Sequence, residues 1–348
     1  MINIYGGTIE GGKAATYGGN VFLGGSAVLN MYGGVITGGQ AGTHGGNIRL
    51  EGTATFNMKG GEISEGTASK YAGNIAISGD AVLNMDDGEI KNGHLVASGS
   101  NNPQGGGNIY GYSGSKKAVF NMNGGTISGG TGAQHGGNVE IENFTFNMKG
   151  GTIKDATATK YGGNVCLLGT MTMSGGTIEN GTVNSGNKNA TYGGNVLVGG
   201  AFTMTGGTIS GCYAYAGGAI YSTGTSTVTI GGTAALKNNQ CASVGFAPAI
   251  YANGGTFTLK GTPTFSGNNQ YKSGILSDLY VKSDAKLTVA TDFAPVNPVR
   301  VTRNTGSAET ETAGSFGSAT TDKSACFAAM DDNFKVTYSG GKLYITAK

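Results

Sequence analysis

The residues with the best claim to chemistry are acidic. Glu62, Glu65, Asp86, Asp87 and Glu89 form the one concentration of carboxylates along the repeated part of the chain. Two carboxylates roughly 5–9 Å apart are what glycoside hydrolysis asks for, one as acid and one as base or nucleophile. Glu62 and Glu89 lie 27 residues apart, which is one repeat, so they are expected on neighbouring strands at about 5 Å. Two like charges that close shift a pKa or attract a cation. The plainer expectation is a solvated surface pair. His94 follows in a long insertion and is a candidate partner for them.

The four cysteines are Cys166, Cys212, Cys241 and Cys326, and none forms a CxxC pair. Zinc and redox readings therefore have no support in spacing, and no metal or cofactor is expected. Cys212 and Cys241 stand 29 residues apart, close to one repeat, so a disulfide between neighbouring coils and two free thiols are both open.

Aromatic residues offer a binding surface instead. One recurring outward position gives Phe22, Arg49, Ala76, Tyr110, Glu140, Cys166, Leu197, Tyr221, Tyr251 and Tyr280. Tyr221, Tyr251 and Tyr280 are expected to form a surface row, with Tyr110 further along it. Exposed aromatics among uncharged polar neighbours stack on sugar rings or contact another protein. The competing expectation is stacking that only stabilises the coil face.

What must position these residues is a repeat. Asn30-Met31-Tyr32-Gly33-Gly34-Val35-Ile36 returns at Asn57 and at Asn84, each time 27 residues on. Later copies begin at Asn121, Asn147, Thr172 and Thr203, and an earlier one at Asn3. A second motif alternates with it, as in Tyr17-Gly18-Gly19-Asn20-Val21 and His44-Gly45-Gly46-Asn47-Ile48. Phe144, Phe146 and Met148 alternate with Thr145 and Asn147, a period of two that marks strands with one buried face. Three short strands per period and no helical periodicity predict an all-β, right-handed parallel β-helix of about ten coils. Identical positions then form ladders. Asn20, Asn47, Asn74, Asn108, Asn138, Asn164 and Asn195 are expected to stack at one corner. Tyr17, His44, Tyr71, His135, Tyr161 and Tyr192 are expected to stack beside them.

The spacing stretches to 37 residues between Asn84 and Asn121 and to 31 between Thr172 and Thr203. The extra residues fall in Lys91 to Gln104 and Asn180 to Lys188, where a solenoid places binding loops. The repeat dissolves near residue 290. Residues 1–290 are expected to be the β-helix and 291–348 a C-terminal cap, closing with a hairpin of Phe334 to Tyr338 and Lys342 to Ile345.

Composition narrows the function classes. Gly is 68 of 348 residues and Pro only 5, in a fixed register, which excludes collagen and a disordered linker. A net charge of +2 with 12% charged residues leaves nothing to attract nucleic acid by field alone. No apolar run approaches the ~18 residues of a membrane span. Met1 leads straight into a repeat, so a longer parent chain is expected, and the uncapped first coil invites end-to-end self-association into a fibre.

The Asn-Met-x-Gly-Gly-Thr-Ile and Gly-Gly-Asn-Val motifs resemble the glycine-rich repeats of bacterial right-handed parallel β-helix surface proteins. These include adhesin-like proteins of Gram-positive gut bacteria and, more loosely, autotransporter and polymorphic outer-membrane adhesins. The resemblance covers residues 1 to about 290. It implies an extracellular or cell-surface location and a glycan or a host or cell-surface protein as partner. It also admits carbohydrate-active enzymes of the same fold. Lyases of that kind pair acidic calcium ligands with a Lys or Arg base, and here Arg49 is the one arginine before Arg300. The calcium-binding nonapeptide Gly-Gly-x-Gly-x-Asp is absent. The expectation is a non-catalytic adhesin-like protein or stalk, with a polysaccharide lyase or glycoside hydrolase second and a fibre protein third.

Overall fold

The computed structural model describes the chain except residues 98–102, 115–116, 185–191, 243–245, 272 and 304–314, and the side chains of 302 and 303. It is a parallel β-solenoid of about 11 turns with a spacing of roughly 27 residues, 51% strand and 1% helix. At the ~4.8 Å inter-strand spacing this makes a rod roughly 50 Å long.

Each turn repeats the same course. In one of them the chain runs through Thr55–Ser64, which covers the first and second strands without a break. A short strand, Thr67–Ala68, follows, then Ile75–Ser78. The next turn pairs with it in parallel and in register, Leu83 on Phe56, Met85 on Met58 and Ile90 on Ile63. The two-residue strand is a fourth element beyond the three expected. Its Thr-Ala pair is too short to show an alternation in sequence.

The inward positions stack like on like. Phe120 lies over Phe146 with ring centres 4.5 Å apart and planes 4° from parallel. Met31, Met58, Met85, Met122, Met148 and Met173 form a second inward row, all fully buried. This row explains the second glycine of the first motif. Gly88 has φ +100°, and a Cβ there would sit 2.7 Å from the Met58 methyl carbon of the preceding coil. A side chain is therefore excluded by conformation and by packing together.

The asparagines of the second motif build the corner. Asn47 is fully buried. Its Oδ1 accepts from Gly39 N at 2.8 Å and from Asn20 Nδ2 at 2.7 Å. Its Nδ2 donates to Ser64 O and to Asn74 Oδ1, both at 2.7 Å. All four amide valences are filled, as burial demands. The chain of amides continues through Asn108, Asn138 and Asn164 to Asn195.

Beyond Asn195 the corner changes hands. The aligned positions become Ala219, Ala249 and Asp278. The facing position, glycine at Gly39, Gly66, Gly93 and Gly181, becomes Cys212, Asn239 and Asn268. Cys212 Sγ donates to Asn239 Oδ1 at 2.9 Å, Asn239 Nδ2 to Asn268 Oδ1 at 3.0 Å, and Asn268 Nδ2 to Asp278 Oδ1 at 2.9 Å. The polar column is kept while its supplier switches strands. The Cys212–Cys241 disulfide left open by the spacing is not formed, because the two are out of register. Cys241 aligns with Ala214, two residues past Cys212, and neither cysteine is in a disulfide.

Parallel pairing continues past residue 290. Val299–Arg303 lies on Leu279–Val281, and Phe327–Ala329 on Val299–Arg303. The chain closes with an antiparallel hairpin, Phe334–Ser339 with Lys342–Ala347, whose second strand also pairs antiparallel with Gly317–Ala319. Leu343 is fully buried there, so the hairpin stoppers the core.

Backbone approach at the corner sets a testable limit. A Cβ on Gly46 would strike Gly73 O and Thr67 N of the next turn, whereas one on Gly224 meets nothing. Gly46→Ala is expected to cost about 3 kcal/mol or more and Gly224→Ala less than about 0.5 kcal/mol, read by guanidinium unfolding.

Candidate functional site

The acidic group is held by pairing rather than poised. Glu62 and Glu89 do face each other across neighbouring turns. Lys91 Nζ reaches Glu62 Oε2 and Glu89 Oε2, each at 2.8 Å. The bonds to Lys91 hold the Glu62 carboxyl below the usual range and the Lys91 ammonium above its own. Glu62 is thus held as a carboxylate by its ion pair, where a catalytic acid needs its carboxyl pushed up. The remaining carboxylates are engaged too. Asp86 Oδ1 accepts from Asn123 Nδ2 at 2.8 Å, Asp87 Oδ1 from Gly88 N at 2.8 Å, and Glu65 Oε1 from Asn92 Nδ2 at 2.7 Å.

His94 lies in the short strand His94–Leu95, stacked on Thr67–Ala68. Its Nδ1 is 2.6 Å from Thr131 Oγ1 on the next turn. It continues the coil stacking. Of the two insertions, residues 98–102 of Lys91 to Gln104 and residues 185–188 of Asn180 to Lys188 lie outside the described residues.

The tyrosine row exists but is not a surface. Tyr221, Tyr251 and Tyr280 stack at 5.2 and 4.5 Å. Their exposures are 9%, 7% and 1%, and that of Tyr110 is 6%. The expected exposed row is corrected by what folds over it. Tyr192 lies 4.7 Å from Tyr221, Phe246 5.1 Å from Tyr251 and 5.4 Å from Tyr280, and Tyr71 4.0 Å from Tyr110. The aromatics near the Gly-Gly corner lean across the outer face of the third strand and make a second, smaller core. Outward from the main interior is therefore not the same as exposed. Tyr213 and Tyr271 do remain open to solvent, edge to face at 5.3 Å, at 38% and 47% exposure.

That second layer contains an anomaly. Along the aromatic ladder the order is Tyr17, His44, Tyr71, Gly105, His135, Tyr161, Tyr192, Ala216. Gly105 leaves a gap in it, and the Glu140 carboxylate occupies that gap, lying where a Cβ on Gly105 would be. Glu140 is 1% exposed, flanked in its row by Tyr110 on one side and by Cys166 and Leu197 on the other. Its Oε1 stands 3.6 Å from His135 Nδ1. Its Oε2 has no hydrogen-bond partner among the described residues. Burial pushes the Glu140 carboxyl up, against the pull of His135. Cys166 is the next residue of the row, and donor atoms of His135, Glu140 and Cys166 all lie within 4.8 Å of one another. The signals in sequence were a glycine where the ladder wants an aromatic and a glutamate as the one acidic residue of its row. Neither carries meaning until the ladder is known to cover the row.

No protein-family model, curated protein or solved structure matches the chain.

His44 supplies a pH dependence. Burial, then the charges of Arg49 and Lys70, lower its imidazole from the ordinary 6.5 to about 4. Between those values the unfolded chain binds a proton that the folded chain refuses, so His44 costs stability as pH falls through that window and nothing above it. His44→Tyr, which copies Tyr71, is expected to remove that loss. The check is the difference in unfolding midpoint between wild type and variant from pH 7 to pH 4, which should widen in the variant's favour.

Proposed function

We propose that the chain is a non-catalytic, adhesin-like stalk of a secreted or cell-surface protein. The observation that carries the reading is where the candidate chemistry goes. Glu62 and Glu89 are clamped by Lys91, and the tyrosine row is spent on stacking. Polar side chains along the coils bond mainly to the neighbouring turn, which is what a rod needs for continuity. A sparsely charged sequence, low net charge and the resemblance to β-helix surface proteins support display outside the cell. No helix among the described residues is long and apolar enough to cross a membrane. Recognition of a glycan or a surface protein then falls to groups off the ladders, Tyr213 and Tyr271 foremost.

The test is a glycan array on the purified chain, with and without calcium, followed by a cleavage assay on every polysaccharide bound. Binding without cleavage, or no binding, fits the stalk. Cleavage that disappears in Glu62→Gln or Glu89→Gln would replace it with a carbohydrate-active enzyme. Tyr251→Ala is expected to lower stability by about 3–5 kcal/mol, as for other buried aromatics, and to leave ligand binding by the folded fraction unchanged. Loss of binding without loss of stability would contradict the burial argument.

A further inference from the structure

We propose that His135, Glu140 and Cys166 form a site for a borderline-soft divalent cation of the zinc class, held by one imidazole nitrogen, one carboxylate oxygen and one thiolate sulfur. The inference is independent of the stalk reading. Three departures from the repeat meet at this one place: a glycine in the aromatic ladder, the one acidic residue of its row, and a cysteine beside it. Glu140 is more than nine-tenths buried, with Oε2 unpartnered among the described residues, which is unfavourable unless something binds it. A cation between the three donors satisfies that oxygen.

The donor set selects the metal. Nitrogen and sulfur donors disfavour calcium and magnesium, which want oxygen, and suit zinc, cobalt and their neighbours. Donor atoms around a tetrahedral zinc stand roughly 3.3–3.8 Å apart, given bonds of about 2.0–2.3 Å. The present separations, up to 4.8 Å, require a closure of about 1 Å. His135 can supply it, because its side chain keeps 26% exposure while Glu140 and Cys166 are fixed in the strand row. The same exposed side leaves a fourth position open to water. On binding, the Cys166 S–H bond breaks, its proton goes to solvent and the sulfur lone pair bonds the metal, with no change of oxidation state. The metal then staples the aromatic ladder to the third-strand sheet at the coil where the ladder is interrupted.

Titration of the full chain with cobalt(II), which reports what zinc hides, tests this directly. One equivalent is expected to bind with a thiolate-to-cobalt charge-transfer band and the visible bands of a tetrahedral site, and zinc should displace it. Cys166→Ala and His135→Tyr are each expected to abolish the charge-transfer band or weaken binding at least about 100-fold. Both are gentle substitutions, since Ala76 and Tyr161 already occupy the equivalent positions. His44→Tyr makes the same exchange elsewhere in the ladder and should leave affinity unchanged. A wild-type protein without the thiolate band overturns the site, as does a band of full affinity in either ligand variant. Equal loss in His44→Tyr would overturn the assignment to His135.

Discussion

A buried amide column is the constraint on which this rod depends. A parallel solenoid must turn a corner several times per coil, and at each corner backbone groups leave the ladder. Water cannot reach this one. The asparagine of each Gly-Gly-Asn motif fills the need with four bonds, one to its own coil's glycine N–H and the others to coils on either side. A second asparagine column, Asn3 to Asn147, runs on the half-exposed outer face. There Asn57 donates to Asn30 and Asn84 to Asn57, opposite in direction to the inner column. The inner column has no solvent to fall back on, so it sets register and the outer one follows it.

Most of the facing glycines follow from that column, Ala156 opposite Asn164 being the exception. Gly39 and Gly66 face Asn47 and Asn74, and a Cβ on either would come within 2.7 Å of the amide oxygen. Where the asparagine becomes Ala219 or Ala249, the facing residue stops being glycine and becomes Cys212 or Asn239. One chain thus records, from coil to coil, an exchange between two sites that share a single volume. The outer cover of tyrosines and histidines is a second consequence. The Gly-Gly turn swings the preceding ring over the third strand, so the face opposite the main interior is also roofed.

Architecture was legible because stacking makes period and structure the same thing. A 27-residue return of Asn-Met-x-Gly-Gly can satisfy its apolar positions only by lying over itself. The closing hairpin was equally plain, with alternating Phe334, Val336 and Tyr338 before a Ser-Gly-Gly turn. The Glu62–Glu89 adjacency followed from the same register, whereas its neutralisation did not, because Lys91 lies two residues past Glu89 and reaches across the turn only in three dimensions. The tyrosine row was legible as a row and misjudged as a surface. Strand alternation distinguishes two faces and says nothing about whether a neighbouring loop covers the second. The cluster at Glu140 was hidden for that reason too, since its meaning lies in a missing side chain at Gly105.

The most direct test of the account compares the two asparagine columns. Asn74→Ala strips partners from Gly66 N, Asn47 Nδ2 and Lys91 O in the buried corner, while Asn57→Ala opens a position that water can fill. Guanidinium unfolding followed by circular dichroism should give a loss of about 3 kcal/mol or more for Asn74→Ala and about 1 kcal/mol or less for Asn57→Ala. Equal losses, or a larger one for Asn57→Ala, would contradict the claim that the inner amide column holds the coils in register.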